Sequence, residues 1–118
     1  MRVDFVFLDD VWVLRLRGRF NTGSNADFSN TSEQVQHAGI RKLVISCQEL
    51  PYVDSTGIAF IIGLYNQVTN SGGTVVLAAV NSRVRDILNI TQLTRVMAMY
   101  PDENAALSAL AAEPVIVA

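Results

Sequence analysis

The chain has 118 residues, of which 50% are hydrophobic and 17% are charged, and its formal net charge is −2. A chain of this length fits one domain and can bury enough apolar surface to fold alone. The few basic residues are dispersed, which argues against binding to nucleic acid or to an anionic membrane surface.

The cysteine count and the N-terminal segment argue against a secreted, metal-binding or membrane protein. The single cysteine, Cys47, cannot form a disulfide within the chain. No group of residues has the spacing of a zinc site, so we expect no metal and no cofactor. Asp4, Asp9 and Asp10 interrupt the N-terminal apolar residues, so we expect neither the continuous apolar core of a signal peptide nor a run as long as a membrane span in this segment. A cytoplasmic protein without membrane insertion is expected.

The first part of the chain predicts a hairpin followed by a helix. Residues 3–8 and 11–17 are rich in β-branched and aromatic side chains and are separated by two residues, which is typical of a β-hairpin. The polar segment that follows predicts a helix with Ser24 or Asn25 as its N-cap, and Gly39 ends it.

The middle of the chain predicts a buried strand and an amphipathic helix. Residues 42–46, KLVIS, are a short apolar run typical of a strand buried centrally in a sheet. From about Ser55 to Asn70 the apolar side chains recur at helical spacing, and this pattern predicts a helix with a wide apolar stripe.

The last part predicts two further pairs of a strand and a helix. Residues 74–80 predict a buried strand, and Ser82 is the expected N-cap of a short helix after it. Residues 95–100 predict the last strand, and Pro101 and Asp102 open the final helix.

The predicted order is therefore β-β-α-β-α-β-α-β-α. Strands separated by helices should be parallel and joined by right-handed crossovers. This order predicts an α/β fold with one mixed, mainly parallel sheet, an N-terminal hairpin and about four helices. We expect the domain to span residues 1–112, and residues 113–118 to form a C-terminal tail that is frayed or packed on a neighbour.

The most informative stretch is ELPYVDSTGIAFIIGLY, which runs from Glu49 to Tyr65. Functional sites in such sheets gather beyond the carboxyl ends of the strands, and residues 54–57 form such a loop. The N–H groups and the dipole at a helix start favour an anion, so a phosphate on Ser55 would be tolerated there.

The same motif has a simpler structural interpretation. Asp54 or Ser55 can serve only to cap the helix, which is worth about 1 kcal/mol, and Gly57 can serve only to allow close packing. Residue spacing alone leaves the cap and the regulatory hydroxyl both open.

The stretch LVISCQELPYVDSTGIAFIIGLYNQVTNSGGTVVLAAVNSRVRDILNITQLTRVM resembles the STAS domain family, named for sulfate transporters and anti-sigma factor antagonists. The resemblance is greatest to the stand-alone bacterial antagonists and covers almost the whole chain. In that family an Asp-Ser-Ser/Thr-Gly motif opens the helix after a central strand, and a partner kinase phosphorylates its first serine. By this resemblance Ser55 is the phosphoacceptor, Asp54 its motif neighbour, Thr56 an adjacent hydroxyl and Gly57 the residue of close approach.

The resemblance also implies a function and its partners. A single STAS-type domain, not an enzyme, would bind a histidine-kinase-like anti-sigma factor and so free a sigma factor in a partner-switching pathway of transcription regulation. Phosphorylation of Ser55 would end that contact, and a PP2C-type phosphatase would restore it. The alternative is a STAS scaffold subunit that does not switch, docked on a lipid-transport or stressosome-like assembly.

The sequence departs from the family pattern at two places. Many relatives have Gly-x-Leu-Asp after the second strand, whereas this chain has Gly18-Arg19-Phe20-Asn21 followed by a polar loop at 21–30. This loop borders the phosphorylation region in the family, and Asn21 is expected to be a partner-binding residue. The family often has Gly before the position of Leu93, where Gln92 stands here.

Other functional classes find little support. A serine hydrolase needs a base close to its nucleophile, and preferably a G-x-S-x-G turn, and the sequence shows neither. His37, the only histidine, is expected at the surface near the end of a polar helix. Cys47 is expected to be a small core residue. The sequence therefore favours a module for binding another protein.

Overall fold

The computed structural model describes residues 2–8, 10–18 and 25–111. A short 3-10 helix at Leu93–Arg95 precedes the last strand. The strands are β1 Arg2–Leu8, β2 Val11–Arg17, β3 Lys42–Glu49, β4 Thr74–Ala78 and β5 Met99–Tyr100, and the helices are α1 Asn25–Ala38, α2 Ser55–Asn70, α3 Ser82–Ile90 and α4 Glu103–Ala111.

The five strands form one sheet in the order β1-β2-β3-β4-β5. β1 is antiparallel to β2, while β3, β4 and β5 each run parallel to the strand before them. The predicted α/β class, the N-terminal hairpin and the mainly parallel sheet are therefore confirmed. Because β3 is the central strand, the loop that follows it lies at the middle of the sheet's carboxyl edge.

The hairpin is tight, since Leu8 pairs directly with Val11 across two connecting residues. Asp10, the second of these, has a positive φ of 73°, the left-handed conformation that two-residue hairpin turns need. Asp9 lies outside the described residues. The hairpin predicted from the sequence is confirmed, with strands that match the predicted runs to within one residue.

Two apolar layers cover the two faces of the sheet, because successive residues of a strand point to opposite faces. The larger layer lies under α1, α2 and α3, and the smaller one lies under α4. The larger core includes Leu14, Ile45, Leu77, Ile61 and Leu64, and the smaller includes Val13, Val44, Val76, Ala106 and Leu110. No helix in the described ranges is both long and apolar enough to cross a membrane.

β3 and β4 end at different residues from those predicted. β3 continues three residues beyond the apolar run, to Glu49, because Glu49 pairs with Arg17 and accepts a backbone hydrogen bond from Gly18 at 3.2 Å. β4 ends at Ala78, not at residue 80, because Ala79 has a φ of 57° and takes the chain out of the extended conformation.

The segment from α3 to β5 also corrects the sequence prediction. The N-cap of α3 is Asn81, not Ser82, since Asn81 Oδ1 accepts a hydrogen bond from the Val84 N–H at 2.8 Å. The strand predicted at 95–100 is only Met99–Tyr100. Its first residues complete a 3-10 turn instead, and Gln92 enters that turn with a left-handed φ of 64°.

A partly buried ion pair joins α4 to the sheet. The Arg15 guanidinium donates to both carboxylate oxygens of Glu103 at 2.9 to 3.2 Å, and Ser46 Oγ donates to Glu103 Oε2 at 2.8 Å. Glu103 is the first residue of α4, while Arg15 belongs to β2 and Ser46 to β3. These side chains of β2, β3 and α4 therefore anchor the first turn of the last helix to the sheet.

This contact makes stability depend on pH. The hydrogen bond from Arg15 holds the pKa of Glu103 below its ordinary value, with a smaller contribution from Ser46, and partial burial opposes the shift. A carboxylate whose folded-state pKa is lowered stabilises the fold above its unfolded pKa, about 4.3 for Glu. That contribution is lost as the pH falls through the folded pKa.

We expect Glu103→Gln to lower the free energy of unfolding by about 1 to 2 kcal/mol at pH 7, because Arg15 loses its charged acceptor. The loss is no larger because Arg15 is partly exposed and water screens its charge. The difference from wild type should shrink in urea titrations repeated below pH 4. Glu33→Gln, at an exposed carboxylate of α1, is the control and should change stability by less than about 0.5 kcal/mol. A loss independent of pH would contradict the ionic role of Glu103.

Candidate functional site

Ser55 is the first residue of α2 and follows the loop that leaves the carboxyl end of β3. Its side chain is exposed, whereas Thr56 is half-buried and Gly57 is buried. Successive residues of the Asp-Ser-Thr-Gly motif therefore point in different directions around the helix. Ser55 faces solvent, and Gly57 lies against the interior.

Asp54, not Ser55, caps α2. Asp54 has an extended backbone, and its Oδ1 accepts a hydrogen bond from the Gly57 N–H at 3.0 Å. Its carbonyl oxygen accepts the first bond of the helix, from the Ile58 N–H at 3.0 Å. Of the two caps that the sequence left open, the structure has Asp54, so the Ser55 hydroxyl is not needed to begin the helix.

The Ser55 hydroxyl is therefore available for chemistry. Within the part of the chain that the structure describes, no hydrogen bond involves this hydroxyl. Because Asp54 binds the Gly57 N–H, the N–H groups of Ser55 and Thr56 remain at the helix start without a helical acceptor. These groups and the positive end of the helix dipole can stabilise an anion on Ser55.

Few charges surround Ser55 along the chain, because α2 contains no acidic and no basic residue over its 16 positions. Asp54 is the nearest formal charge in the sequence. A phosphate would add about −1.5 to −2 charges on Ser55. It would therefore be the dominant charge at this end of the helix.

The exposed side of α2 carries small side chains. Ser55, Ala59, Gly63 and Asn66 are all exposed and recur at helical spacing, and we call this row the outer face of α2. Half-buried apolar side chains flank the row: Ile58, Ile62 and Tyr65. A partner could therefore approach the helix closely and contact apolar surface on its flanks.

The loop before α3 supports the loop that carries the motif. Asn81 Nδ2 donates to the carbonyl oxygen of Leu50 at 3.2 Å, while Asn81 Oδ1 caps α3. One side chain thus ties the starts of α2 and α3 together. This role is not visible in the sequence, because Asn81 and Ser82 are both good N-cap residues and only the structure distinguishes them.

Ser82 provides an internal reference for Ser55. It is also exposed, and it is also the first residue of its helix, with the cap supplied by the preceding side chain. Among the described residues, Ser55 and Ser82 are thus exposed serines in the same helical position, and Ser55 is the one that belongs to the Asp-Ser-Thr-Gly motif.

The remaining candidate residues lie either away from the start of α2 or outside the residues that the structure describes. Asn21 and the first residues of the polar loop fall outside the described residues. His37 is exposed in the last turn of α1, as expected. In the described ranges no three His, Cys, Asp or Glu side chains are grouped as metal ligands.

Cys47 lies on β3 and is almost fully buried, which confirms its assignment to the core. Burial raises the pKa of the Cys47 thiol to about 12. The reactive thiolate is therefore scarce at neutral pH.

We expect a maleimide at pH 7 to label Cys47 only when the chain unfolds. Full labelling in 8 M urea is the control. Rapid labelling of the folded protein would contradict the buried position.

Comparison with known proteins agrees with this architecture. The STAS domain family matches residues 2–106, and the chain belongs to this family. It is similar to the anti-sigma F factor antagonist of Paenibacillus polymyxa, with 29% identity over 101 residues that cover 85% of this chain and 86% of that protein. The resemblance drawn from the motif and the element order is thereby confirmed.

Two solved structures show the same fold. The anti-sigma-factor antagonist (STAS) domain protein from Planctomyces limnophilus has a TM-score of 0.83 and 21% identity, covering 93% of this chain and 98% of that chain. The phosphorylated form of the Bacillus cell fate determinant SpoIIAA has a TM-score of 0.73 and 16% identity, covering 92% of this chain and 99% of that chain. At these identities the likeness is one of fold.

Proposed function

We propose that the protein is an anti-sigma factor antagonist that binds an anti-sigma factor kinase through the surface around Ser55 and is released by phosphorylation of Ser55. One observation carries the proposal: Ser55 is exposed at the start of α2 while Asp54 takes the cap. The name of the Paenibacillus polymyxa relative supports the same class. The protein acts in the cytoplasm by binding, not by catalysis.

The outer face of α2 suits a reversible protein contact. Its small side chains, Ala59 and Gly63, leave room for a partner, and the half-buried Ile58 and Ile62 supply apolar area. Asp54 and Gly57 contribute by holding the helix start, and Thr56 contributes a second hydroxyl beside Ser55. The resemblance to the family adds Asn21, outside the described residues, to this partner-binding surface.

Phosphorylation would change this contact without unfolding the domain. The kinase would transfer the γ-phosphoryl group of ATP to Ser55. The bond from Ser55 Oγ to phosphorus forms while the bond between phosphorus and the β–γ bridging oxygen breaks, ADP leaves, and the hydroxyl proton is released to solvent. The helix start stabilises the new anion. In a contact with the apolar flanks of α2, however, the phosphate would have to lose its water next to the Asp54 carboxylate, which is unfavourable. A PP2C-type phosphatase would hydrolyse the ester and restore binding.

The proposal is tested with a histidine-kinase-like anti-sigma factor from the same cell. The two proteins are incubated with Mg²⁺ and ATP, and the product is mapped by mass spectrometry. We expect one phosphate, on Ser55, and none on the Ser55→Ala variant; Ser82→Ala, at the exposed first residue of α3, is the matched control and should be phosphorylated normally. Phosphate on another residue would refute the site. A stable complex with a transport ATPase or a stressosome-like scaffold, and none with a kinase, would favour the alternative function.

A further inference from the structure

We propose that two copies of this chain associate by antiparallel pairing of their β1 strands, which joins the two sheets edge to edge. The proposal concerns the edge of the sheet formed by β1 and is independent of phosphorylation at Ser55. It rests on the hydrogen-bonding groups, the apolar surface and the charge pattern of β1.

The two edges of the sheet differ greatly in length. β5 has two residues, whereas β1 has seven and pairs with β2 along its whole length. Within the described residues no strand lies on the other side of β1. An edge as short as β5 offers few groups to a further strand, while β1 offers a long row of N–H and C=O groups.

β1 also lacks the features that usually protect an edge. Its sequence, RVDFVFL, has no proline and no lysine, and its register with β2 has no bulge. Its two charges, Arg2 and Asp4, lie in the first half of the strand. The second half is uncharged from Phe5 to Leu8.

The uncharged half of β1 is apolar on both faces of the sheet. Phe7 is 56% exposed and Leu8, which points to the opposite face, is 38% exposed. The Phe7 ring packs on Trp12 with 4.9 Å between ring centroids, so it is held in place. Phe5 and Trp12 also line a groove of about 610 Å³ beside α1. A neighbouring strand would remove apolar surface from water on both faces.

The hairpin turn determines which groups of β1 are available. Leu8 and Val11 flank a two-residue turn and exchange their backbone hydrogen bonds with each other. Because the pattern alternates, the N–H and C=O groups of Val3, Phe5 and Phe7 point away from β2.

For two copies of β1, the charge pattern favours one register. A two-fold axis at Phe5 pairs Phe5 with Phe5 and Val3 with Phe7 of the second copy, so all outward groups are used and aromatic side chains meet. In this register Asp4 lies opposite Val6 of the second copy. An axis at Asp4 would instead place two carboxylates opposite each other, which is unfavourable.

The test is the mass of the full chain, measured by sedimentation equilibrium from 5 to 500 μM. We expect wild type to pass from monomer to dimer in this range. Phe7→Lys should weaken the dimer by about tenfold or more, since a charge on the edge opposes pairing. Ile90→Lys is the matched control, because Ile90 is 81% exposed on α3, and it should dimerise as wild type does. A wild type that stays monomeric at 500 μM overturns the proposal, and so does a dimer lost with Ile90→Lys but kept with Phe7→Lys.

Hydrogen exchange tests the register and does not depend on the folding of any variant. We expect the amides of Val3, Phe5 and Phe7 to become slower to exchange as the protein concentration rises, while the amides of α3 do not change. Protection of these three amides in a monomer would mean that another segment of the same chain pairs with β1, and it would overturn the proposal. Circular dichroism melts of Phe7→Lys show whether that variant is folded, and Val3→Pro provides a second block, since the Val3 N–H is not used by β2.

Discussion

Ser55→Asp is expected to bind the anti-sigma factor kinase about 100-fold or more weakly than wild type, a difference of about 2.7 kcal/mol. The carboxylate places a negative charge on the outer face of α2, where a dry contact tolerates it poorly. The same charge suits the start of a helix, so the free energy of unfolding should change by less than about 1 kcal/mol. Calorimetric titration and urea denaturation measure the two quantities on one preparation.

Ser82→Asp is the matched control for this prediction. Ser82 has the same exposed first position in α3, with Asn81 as its cap, so the substitution adds the same charge in the same local geometry. We expect its affinity for the kinase to stay within about threefold of wild type, roughly 0.7 kcal/mol. Equal losses for the two variants would mean that net charge, and not the place of Ser55, governs binding.

Gly73→Ala is expected to destabilise the fold by about 2 to 3 kcal/mol, because a methyl group has no room at this position. A Cβ there would lie 2.6 Å from Val68 Cγ1 and 2.7 Å from the carbonyl oxygen of Arg41. Neither neighbour can move easily, since Val68 is buried and the Arg41 oxygen accepts a hydrogen bond from Thr74 at 2.7 Å. The midpoint of urea unfolding measures the loss.

Gly63→Ala is the control in the same part of the chain. A Cβ at Gly63 has no heavy atom within 4 Å among its described neighbours, and the residue lies inside α2. Alanine is a better helix former than glycine, so we expect this variant to be more stable than wild type by about 0.5 to 1 kcal/mol. Similar destabilisation by both substitutions would contradict the close packing around Gly73.

The strongest sequence patterns predicted the fold well. The helix predicted from Ser55 to Asn70 is α2, because its apolar stripe is periodic and turn residues follow it. The hairpin lies where it was predicted, since two β-rich runs with a two-residue connection allow few alternatives. The element order and the motif then placed Ser55 at the carboxyl edge of the sheet.

The errors occur where tertiary contacts override local pattern. The apolar run of β4 continues past Ala78, but Ala79 turns the chain with a positive φ. Met97 is apolar and buried although it lies in the bend after the 3-10 helix and not in a strand, so burial alone did not reveal the type of element. The contact of Arg15 with Glu103 joins residues 88 positions apart, and no local pattern indicates it.

The central claim is that a phosphate on Ser55 controls the contact with the kinase. It is tested most directly by measuring the affinity of one sample for the kinase in two states: after enzymatic phosphorylation, and again after treatment with a PP2C-type phosphatase. We expect binding at least about 100-fold weaker in the phosphorylated state and full recovery after the phosphate is removed. Stoichiometric phosphate on Ser55 with unchanged affinity would contradict the account.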